Sequence, residues 1–246
     1  HVTAWMKNLV RIPVASTPEA LFIPKGMSFN QLSFSPNSKF SISLFEGGVY
    51  QSFDINNGNI NPDFTFYSPI VGTKLVDIDT NNNIIYGLNW SFNLLNNLKI
   101  YNQIVLKSNK FTSGFQLGLK WCNLFKHENS FLNIEWNNTP SGLYSMQEGQ
   151  LYQSYSHLGH ELAHPMGAGF QEFLIRGQFT KKKAFFRFNY NVSNMVEGYS
   201  GNEVFDPLEN FLFEINSNRY RLFLNTNIGV MINKATNMEI SVGHMT

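Results

Sequence analysis

The segment that decides the fold class is residues 220–232, which read YRLFLNTNIGVMI. One parity is almost entirely apolar over thirteen residues and comprises Tyr220, Leu222, Leu224, Thr226, Ile228, Val230 and Ile232. Successive side chains of a β-strand point to opposite faces, whereas an α-helix repeats every 3.6 residues. Strict alternation therefore predicts a long strand with one apolar face, and it does not fit a helix.

The same period of two recurs along most of the chain. Alternating runs occupy residues 40–44, 89–94, 115–122, 132–137 and 185–192, and a further run begins at 238–242. The apolar faces carry Phe, Trp, Leu and Ile without a charge, and the other faces carry mainly Asn, Ser, Gln and Gly. We expect an all-β chain of about ten to twelve antiparallel strands.

Two environments produce strands with one apolar and one polar face. In a soluble β-sandwich the apolar faces of two sheets meet inside, whereas in an outer-membrane barrel the apolar face contacts lipid and the polar face lines the lumen. Soluble strands average ~5–6 residues, but a tilted strand needs ~9–11 residues to cross a bilayer. The longer runs favour a transmembrane antiparallel β-barrel, with a large soluble β-sandwich as the alternative. Aromatic residues near strand ends would then form interfacial girdles: Trp5, Trp90, Trp121, Trp136 and Tyr220.

The connections between the runs support a barrel. From Ser113 onward, short polar links alternate with long ones, as expected when the turns on one side of the membrane are short and the loops on the other are long. Before Ser113 the alternation is not evident, and the segment 69–79 is not expected to cross as a full strand. We interpret residues 1–246 as a single outer-membrane barrel domain whose N- and C-terminal parts are missing.

Composition narrows the function. Lys and Arg number 18 against 17 Asp and Glu, so a nucleic-acid partner, which needs a basic surface, is not expected. Only 14% of residues are charged, and 32 Asn supply much of the polarity instead, which suits a polar surface that faces something other than bulk water. The single Cys122 excludes a disulfide framework and a multi-cysteine zinc site.

One segment matches an enzyme motif. Residues 160–164 read HELAH, the pattern in which two histidines at i and i+4 bind zinc and the glutamate activates water. That chemistry needs a helix, but Pro165 follows directly and forces the preceding residue out of the helical region. We therefore expect an ordered loop with hydrogen-bonded histidines, no metal, no cofactor and no enzymatic activity. A zinc metalloprotease is the remote alternative.

The flanking sequence carries a family resemblance. Residues 152–172 read YQSYSHLGHELAHPMGAGFQE, and this stretch resembles the signature of RemB-like gliding-motility proteins of Bacteroidetes, which belong with the Wzi capsule-assembly family. Members carry a Tyr-x-His stretch, then Ala-His-Pro-Leu-Gly-Ala-Asn-Phe and an acidic residue that enters a strand. The matching residues here are Tyr155, His157, Ala163, His164, Pro165, Gly167, Ala168, Phe170 and Glu172. His160 and Glu161 depart from the pattern, and looser similarity extends over roughly residues 27–194.

The resemblance implies an outer-membrane β-barrel that attaches surface polysaccharide in capsule assembly, or that serves gliding motility in cells with type IX secretion. The partners it implies are outer-membrane lipid, surface polysaccharide and other outer-membrane or motility proteins. A porin-like solute channel is the alternative function.

The connection 139–169 holds the candidate glycan contacts, because aromatic rings stack on sugars and amides bind hydroxyl groups. The candidates are Tyr144, Tyr152, Gln153, Tyr155 and His157. The simpler reading is that these residues order the loop. The motif residues His164, Pro165, Gly167, Phe170 and Glu172 are expected to form the turn that enters the next strand.

Overall fold

The structure is a computed structural model that describes residues 1–10, 21–54, 58–77, 82–108, 112–145, 153–158, 160–196, 218–233, 236 and 238–246. Fifteen strands occur in these residues: β1 (Val2–Val10), β2 (Leu21–Phe34), β3 (Phe40–Gln51), β4 (Phe53–Asp54), β5 (Gly58–Asn59), β6 (Asn83–Leu95), β7 (Leu98–Lys107), β8 (Ser113–Cys122), β9 (Phe131–Thr139), β10 (Ser156–His157), β11 (His160–Glu161), β12 (Phe170–Lys181), β13 (Ala184–Val196), β14 (Asn218–Asn233) and β15 (Met238–Met245). Short 3₁₀ helices cover Phe64–Phe66, Thr73–Asp77 and Leu124–Lys126. The prediction of an all-β chain is confirmed.

Eleven of these strands form one sheet in the order β1-β2-β3-β6-β7-β8-β9-β12-β13-β14-β15, and every neighbouring pair is antiparallel. The two remaining pairs, β4–β5 and β10–β11, are two-residue hairpins. Each long strand pairs with the next long strand along the chain, which is the connectivity of an up-and-down meander. Within the described ranges, no helix is long and apolar enough to cross a membrane.

The connections alternate between the two ends of the sheet along its whole length. One end carries connections of at most eight residues, at 35–39, 96–97, 123–130, 182–183 and 234–237, and the other end carries the long connections 11–20, 52–82, 140–169 and 197–217 together with the five-residue link 108–112. Before Ser113 the lengths of the connections do not alternate regularly, as the sequence indicated, because 96–97 and 108–112 are both short. The 69–79 segment lies in the 52–82 connection, where residues Thr73–Asp77 form a 3₁₀ helix rather than a strand.

The pairing register separates the side chains into two faces. One row across eight strands holds Ile42, Trp90, Asn102, Leu117, Trp136, Phe173, Val192 and Leu222. The adjacent row, one residue away on each strand, holds Ser43, Asn89, Gln103, Gln116, Asn137, Glu172, Ser193 and Arg221. We call the two sides the apolar face and the polar face of the sheet.

The apolar face is not a shared dry interior. Phe40, Trp90, Leu119, Phe188 and Leu224 all lie on it, and none of them is buried. Many of its other large side chains are exposed, including Leu32, Leu44, Leu222, Ile228 and Val242. The five aromatic residues expected to form girdles also have apolar-face parity. A sandwich would bury this face against a second sheet, and no second large sheet exists among the described residues.

The buried core lies on the opposite side. It is formed where the 140–169 connection packs on the polar face, at the end of the sheet that carries the long connections. Its members are Met6, Phe45, Val49, Ile85, Val105, Leu143, Tyr144, Tyr155 and Ala168. Near this end the polar-face parity itself becomes apolar, which gives the connection a surface to bind.

Candidate functional site

The described part of the 140–169 connection, which we call the polar-face loop, is anchored by apolar packing. Leu143 and Tyr155 are almost completely buried, and they belong to one cluster with Val49 and Ile85 of the sheet. The Tyr144 and Tyr155 rings meet edge to face, with their centroids 6.1 Å apart. Burial of several large side chains stabilises such a loop by roughly 1.5–3 kcal/mol for each one. The loop is therefore an integral part of the fold.

Two buried lysines hold the backbone of the loop. The Lys25 Nζ on β2 donates to the Ser154 carbonyl oxygen at 2.6 Å, and the Lys107 Nζ on β7 donates to the carbonyl oxygens of Gly142, at 2.8 Å, and of Ser145. Both lysines lie on the polar face and are almost inaccessible to solvent. A buried ammonium group is tolerated only when its donors are satisfied, so each lysine ties one arm of the loop to the sheet.

Asn83 connects the same two arms. Its Nδ2 donates to the Tyr144 carbonyl oxygen at 3.0 Å and to the Gln153 carbonyl oxygen at 2.9 Å. The Tyr155 hydroxyl donates back to the Asn83 carbonyl oxygen at 3.1 Å, and the Tyr155 amide donates to the Tyr144 carbonyl oxygen at 2.9 Å. These bonds satisfy backbone groups that burial would otherwise leave without partners.

The two tyrosines of the loop are held in the neutral form. Burial raises the pKa of Tyr144 to about 12, and burial also raises the pKa of the Tyr155 hydroxyl well above its ordinary value of 10. Desolvation disfavours the charged phenolate, which explains the direction of both shifts.

The HELAH segment does not form a helix. His160 and Glu161 are the second strand of a hairpin, in which His157 pairs with His160 and Ser156 pairs with Glu161. The hairpin is tied to β1, because the Lys7 amide donates to His157 Nδ1 at 3.1 Å and the Leu158 amide donates to the Lys7 carbonyl oxygen at 2.9 Å. In this conformation the two motif histidines do not share one face as they would in a helix.

The motif residues after the hairpin form a tight turn that returns His164 to the sheet. The Gly167 amide donates to the His164 carbonyl oxygen at 2.8 Å, and the Met166 amide donates to His164 Nδ1 at 3.2 Å. Pro165 is exposed within the turn, and Gly167 has a positive φ of 71°, which favours glycine. The His164 ring then packs on the buried Phe170 ring, with their centroids 4.5 Å apart.

His164 reaches a carboxylate on the polar face. Its Nε2 lies 3.5 Å from Glu172 Oε2, and Asn137 and Asn191 on the neighbouring strands donate their Nδ2 groups to the two Glu172 oxygens. His164 also borders a small cleft of about 100 Å³ between the loop and the sheet, which Gln103, Gln116 and Tyr144 help to line. This arrangement fixes a carboxylate and an imidazole at the edge of a polar cavity. Within the described ranges, no three His, Cys, Asp or Glu side chains are grouped closely enough to hold a metal ion.

A second polar cleft, of about 230 Å³, lies further along the sheet, and the sequence did not single it out. It is lined by Ser41, Ser43, Asn89, Trp90, Ser91, Tyr101, Asn102, Gln103 and Gln116. The lining holds no formally charged side chain. The Tyr101 hydroxyl donates to Glu135 Oε1 and lies 3.0 Å from Asn133 Oδ1. In the sequence these strands carry Asn, Ser and Gln at alternate positions, which indicates a polar face. Only the pairing register of the strands shows that these residues lie side by side around one cleft.

The predicted glycan contacts occupy different positions in the structure. Tyr144, Gln153 and Tyr155 are buried, so they order the loop in this conformation, and stacking on a sugar would require the loop to open. His157 is half-buried in the hairpin, and Tyr152 lies outside the described residues. Comparison of the chain with models of known families, with curated proteins and with solved structures found no match in any of the three.

Proposed function

We propose that the eleven-stranded sheet is the wall of an outer-membrane β-barrel, with the apolar face in contact with lipid and the polar face toward the lumen. The observation that carries this proposal is the exposed apolar face, which spans the sheet while the core lies on the opposite side. Isolated exposed apolar residues are ordinary, but a contiguous apolar surface of this extent indicates a membrane or a partner. Eight of the eleven strands have ten residues or more, which is the length a tilted crossing requires.

Within that barrel we propose a non-enzymatic role in surface-polysaccharide attachment and capsule assembly, or in gliding motility, as in the RemB-like and Wzi-like proteins that residues 152–172 resemble. The polar face supports a carbohydrate partner, because the 230 Å³ cleft presents hydroxyl and amide groups without formal charge. Such groups exchange hydrogen bonds with sugar hydroxyl groups and require no ionic ligand. Residues His160 and Glu161 of the HELAH segment form a strand of a hairpin rather than a helix, which favours this role over a zinc protease.

Membrane fractionation tests the location. We expect the protein to sediment with outer membranes, to resist extraction by high salt and alkaline carbonate, and to dissolve only in detergent. A protein that stays in the supernatant without detergent would overturn the proposal.

Binding of surface polysaccharide tests the role. We expect purified protein in detergent to retain capsular polysaccharide from the producing cells, and we expect a Gln103→Ala, Gln116→Ala double variant to retain several-fold less. Lys99→Ala is the matched control, because its exposed side chain is on the same face but does not line the cleft. Unchanged retention by the double variant would reject the cleft as the site, and a motility defect without any glycan binding would favour the gliding role.

A further inference from the structure

The 52–82 connection folds onto the apolar face, opposite to the polar-face loop. Its described residues 58–77, which we call the apolar-face loop, pack on β2 and β3 near the end of the sheet that carries the long connections. Phe66 is buried directly over Gly48, where a Cβ would lie 2.7 Å from the Phe66 ring. The Phe66 ring also meets the Tyr50 ring, with their centroids 4.7 Å apart. The loop is thus held against the outer side of the sheet in the proposed barrel.

A buried ion pair anchors this loop. Lys74 Nζ lies 3.2 Å from Glu46 Oε1, and both side chains are fully inaccessible to solvent. The Gly72 amide donates to Glu46 Oε2 at 2.8 Å. Asn30 Nδ2 donates to Glu46 Oε1 at 2.8 Å and to the Ser68 carbonyl oxygen at 2.9 Å. The Glu46 carboxylate therefore binds polar groups of both the sheet and the loop beneath the loop.

The large side chains on the outer surface of the loop are apolar, and the exposed carboxylate of Asp63 lies beside them in sequence. Phe64 is 82% exposed and Val76 is 87% exposed, and Tyr67, Ile70 and Leu75 are each at least half exposed. The charged Lys74 is turned inward against Glu46. Half or more of the surface of each of these five side chains is therefore accessible to a partner outside the loop.

The loop lies at a defined height on the sheet. Its anchors Asn30 and Glu46 are paired across β2 and β3, and the next apolar-face pair toward the short turns is Leu32 and Leu44, both exposed. Two residues along a strand correspond to roughly 7 Å. The headgroup region on each side of the hydrocarbon core is roughly 5–7 Å thick, so a loop one row above the first exposed leucines is at the level of the headgroups.

We propose that the apolar-face loop is an interfacial membrane anchor, in which Phe64, Tyr67, Ile70, Leu75 and Val76 insert into the boundary between lipid headgroups and acyl chains. This inference rests on the proposed barrel and adds a second, non-strand contact with the membrane. The partner is a lipid surface because the exposed aliphatic and aromatic side chains of the loop lie one row from the exposed Leu32 and Leu44 on the same face of the strands. Interfacial segments use the same combination of aromatic and aliphatic side chains on one side.

Depth-dependent fluorescence quenching tests this anchor. Cys122 is the only cysteine and is exposed, so Cys122→Ser gives a background for single labelling sites. The environment-sensitive fluorophore NBD is attached at Val76→Cys in the loop, at Leu222→Cys on the apolar face of β14, and at Ser141→Cys, an exposed position in the polar-face loop. Each protein is reconstituted in phosphatidylcholine vesicles with and without acyl-chain-brominated lipid. Circular dichroism and detergent-gel mobility verify that each variant is folded.

We expect brominated lipid to quench the fluorophore at positions 76 and 222 at least two-fold, and to leave position 141 unchanged. Quenching at 222 but not at 76 would overturn the anchor and leave the barrel proposal standing. A blue-shifted but unquenched fluorophore at 76 would also overturn it, because a protein contact rather than lipid would then shield the loop. Absence of quenching at 222 would reject the barrel proposal itself, and with it the anchor.

Discussion

Buried lysines are used in two different ways in this protein. Lys74 is paired with a carboxylate, Glu46, on the apolar face, whereas Lys25 and Lys107 on the polar face donate to backbone carbonyl oxygens of the loop. Burial lowers the pKa of Lys74, and the Glu46 carboxylate opposes that shift. Lys25 and Lys107 therefore hold the backbone of the polar-face loop, whereas Lys74 attaches the apolar-face loop to the sheet through the Glu46 side chain.

The first prediction concerns Lys25. We expect Lys25→Met to weaken docking of the polar-face loop by about 1–3 kcal/mol, because the Ser154 carbonyl oxygen loses its buried donor. The measurement is amide hydrogen exchange of peptides that cover residues 153–158, which should accelerate about ten-fold or more. Lys120→Met is the control, since Lys120 is exposed on the same face near the 123–130 turn, at the opposite end of the sheet from the loop. Equal protection in both variants would show that Lys25 does not hold the loop.

At the scale of single elements, β14 contains the sharpest contrast between the two faces. Ile228 lies on its apolar face and is 65% exposed, whereas Asn225 lies on its polar face. In water, an arginine at an exposed isoleucine position is tolerated. In a bilayer, an arginine on the lipid-facing side costs roughly 2–4 kcal/mol near the midplane.

The second prediction follows from that contrast. We expect Ile228→Arg to lower the free energy of unfolding in lipid vesicles by about 2–4 kcal/mol, and Asn225→Arg to change it by less than about 1 kcal/mol because that side chain faces water. Urea unfolding followed by tryptophan fluorescence measures both variants. If Ile228→Arg were neutral in vesicles, the apolar face of β14 would not be in lipid.

The third prediction concerns the pH dependence of the polar-face loop. Below pH 10 both tyrosines are neutral whether the loop is docked or released, so they contribute no pH dependence. Above pH 10 the released tyrosines ionise while docked Tyr144 stays protonated up to about pH 12, so the released state binds fewer protons and docking weakens as the pH rises. We expect proteolysis within the loop to increase between pH 10 and 12.

A tyrosine-to-phenylalanine pair provides the control for this pH dependence. The absorbance of tyrosinate at 295 nm in the wild type minus Tyr144→Phe should titrate with a midpoint near 12. The matched variant Tyr220→Phe removes a tyrosine outside the loop that is 75% exposed, and it should leave the proteolysis profile of the loop unchanged. A Tyr144 midpoint near 10 would mean that its hydroxyl is solvated and that the loop is not docked as described.

At the scale of the whole molecule, a different connecting segment covers each face of the sheet. The apolar face is bare over most of its area, and a loop covers it only near one end. The polar face is covered near the same end by the loop that Lys25, Asn83 and Lys107 hold. A loop bound across the polar face narrows the space that a lumen would offer, which supports an attachment barrel over an open channel.

The fourth prediction tests that choice. We expect the protein in planar bilayers to conduct little, and we expect a Lys25→Met, Lys107→Met double variant to open larger and fluctuating currents because both arms of the loop lose their donors. Lys99→Met with Lys120→Met is the charge-matched control, which removes two exposed lysines from the same face. A high, steady conductance of the wild type would favour the solute channel that the sequence left open.

Much of the fold could be predicted from the sequence because alternation is a local property. The alternation in residues 220–232 alone indicates which side chains share the apolar face. The structure confirms that these residues form a strand, β14. The conclusion that HELAH cannot be a zinc helix was equally local, since Pro165 alone restricts the backbone. Early in the chain the connections at 96–97 and 108–112 are both short, so connection length alone could not assign every strand.

The sequence by itself determined that the protein consists of strands with one apolar and one polar face. In an extended backbone, successive side chains point to opposite faces, so the face of each residue follows from whether its number is odd or even. Only the tertiary structure decided which loop covers which face. Lys25, Lys107 and Asn83 are distant from residues 142–154 along the chain, and Glu46 is distant from Lys74, so their contacts follow from strand register and from the satisfaction of buried polar groups. Those requirements act across the assembled sheet, and no local pattern encodes them.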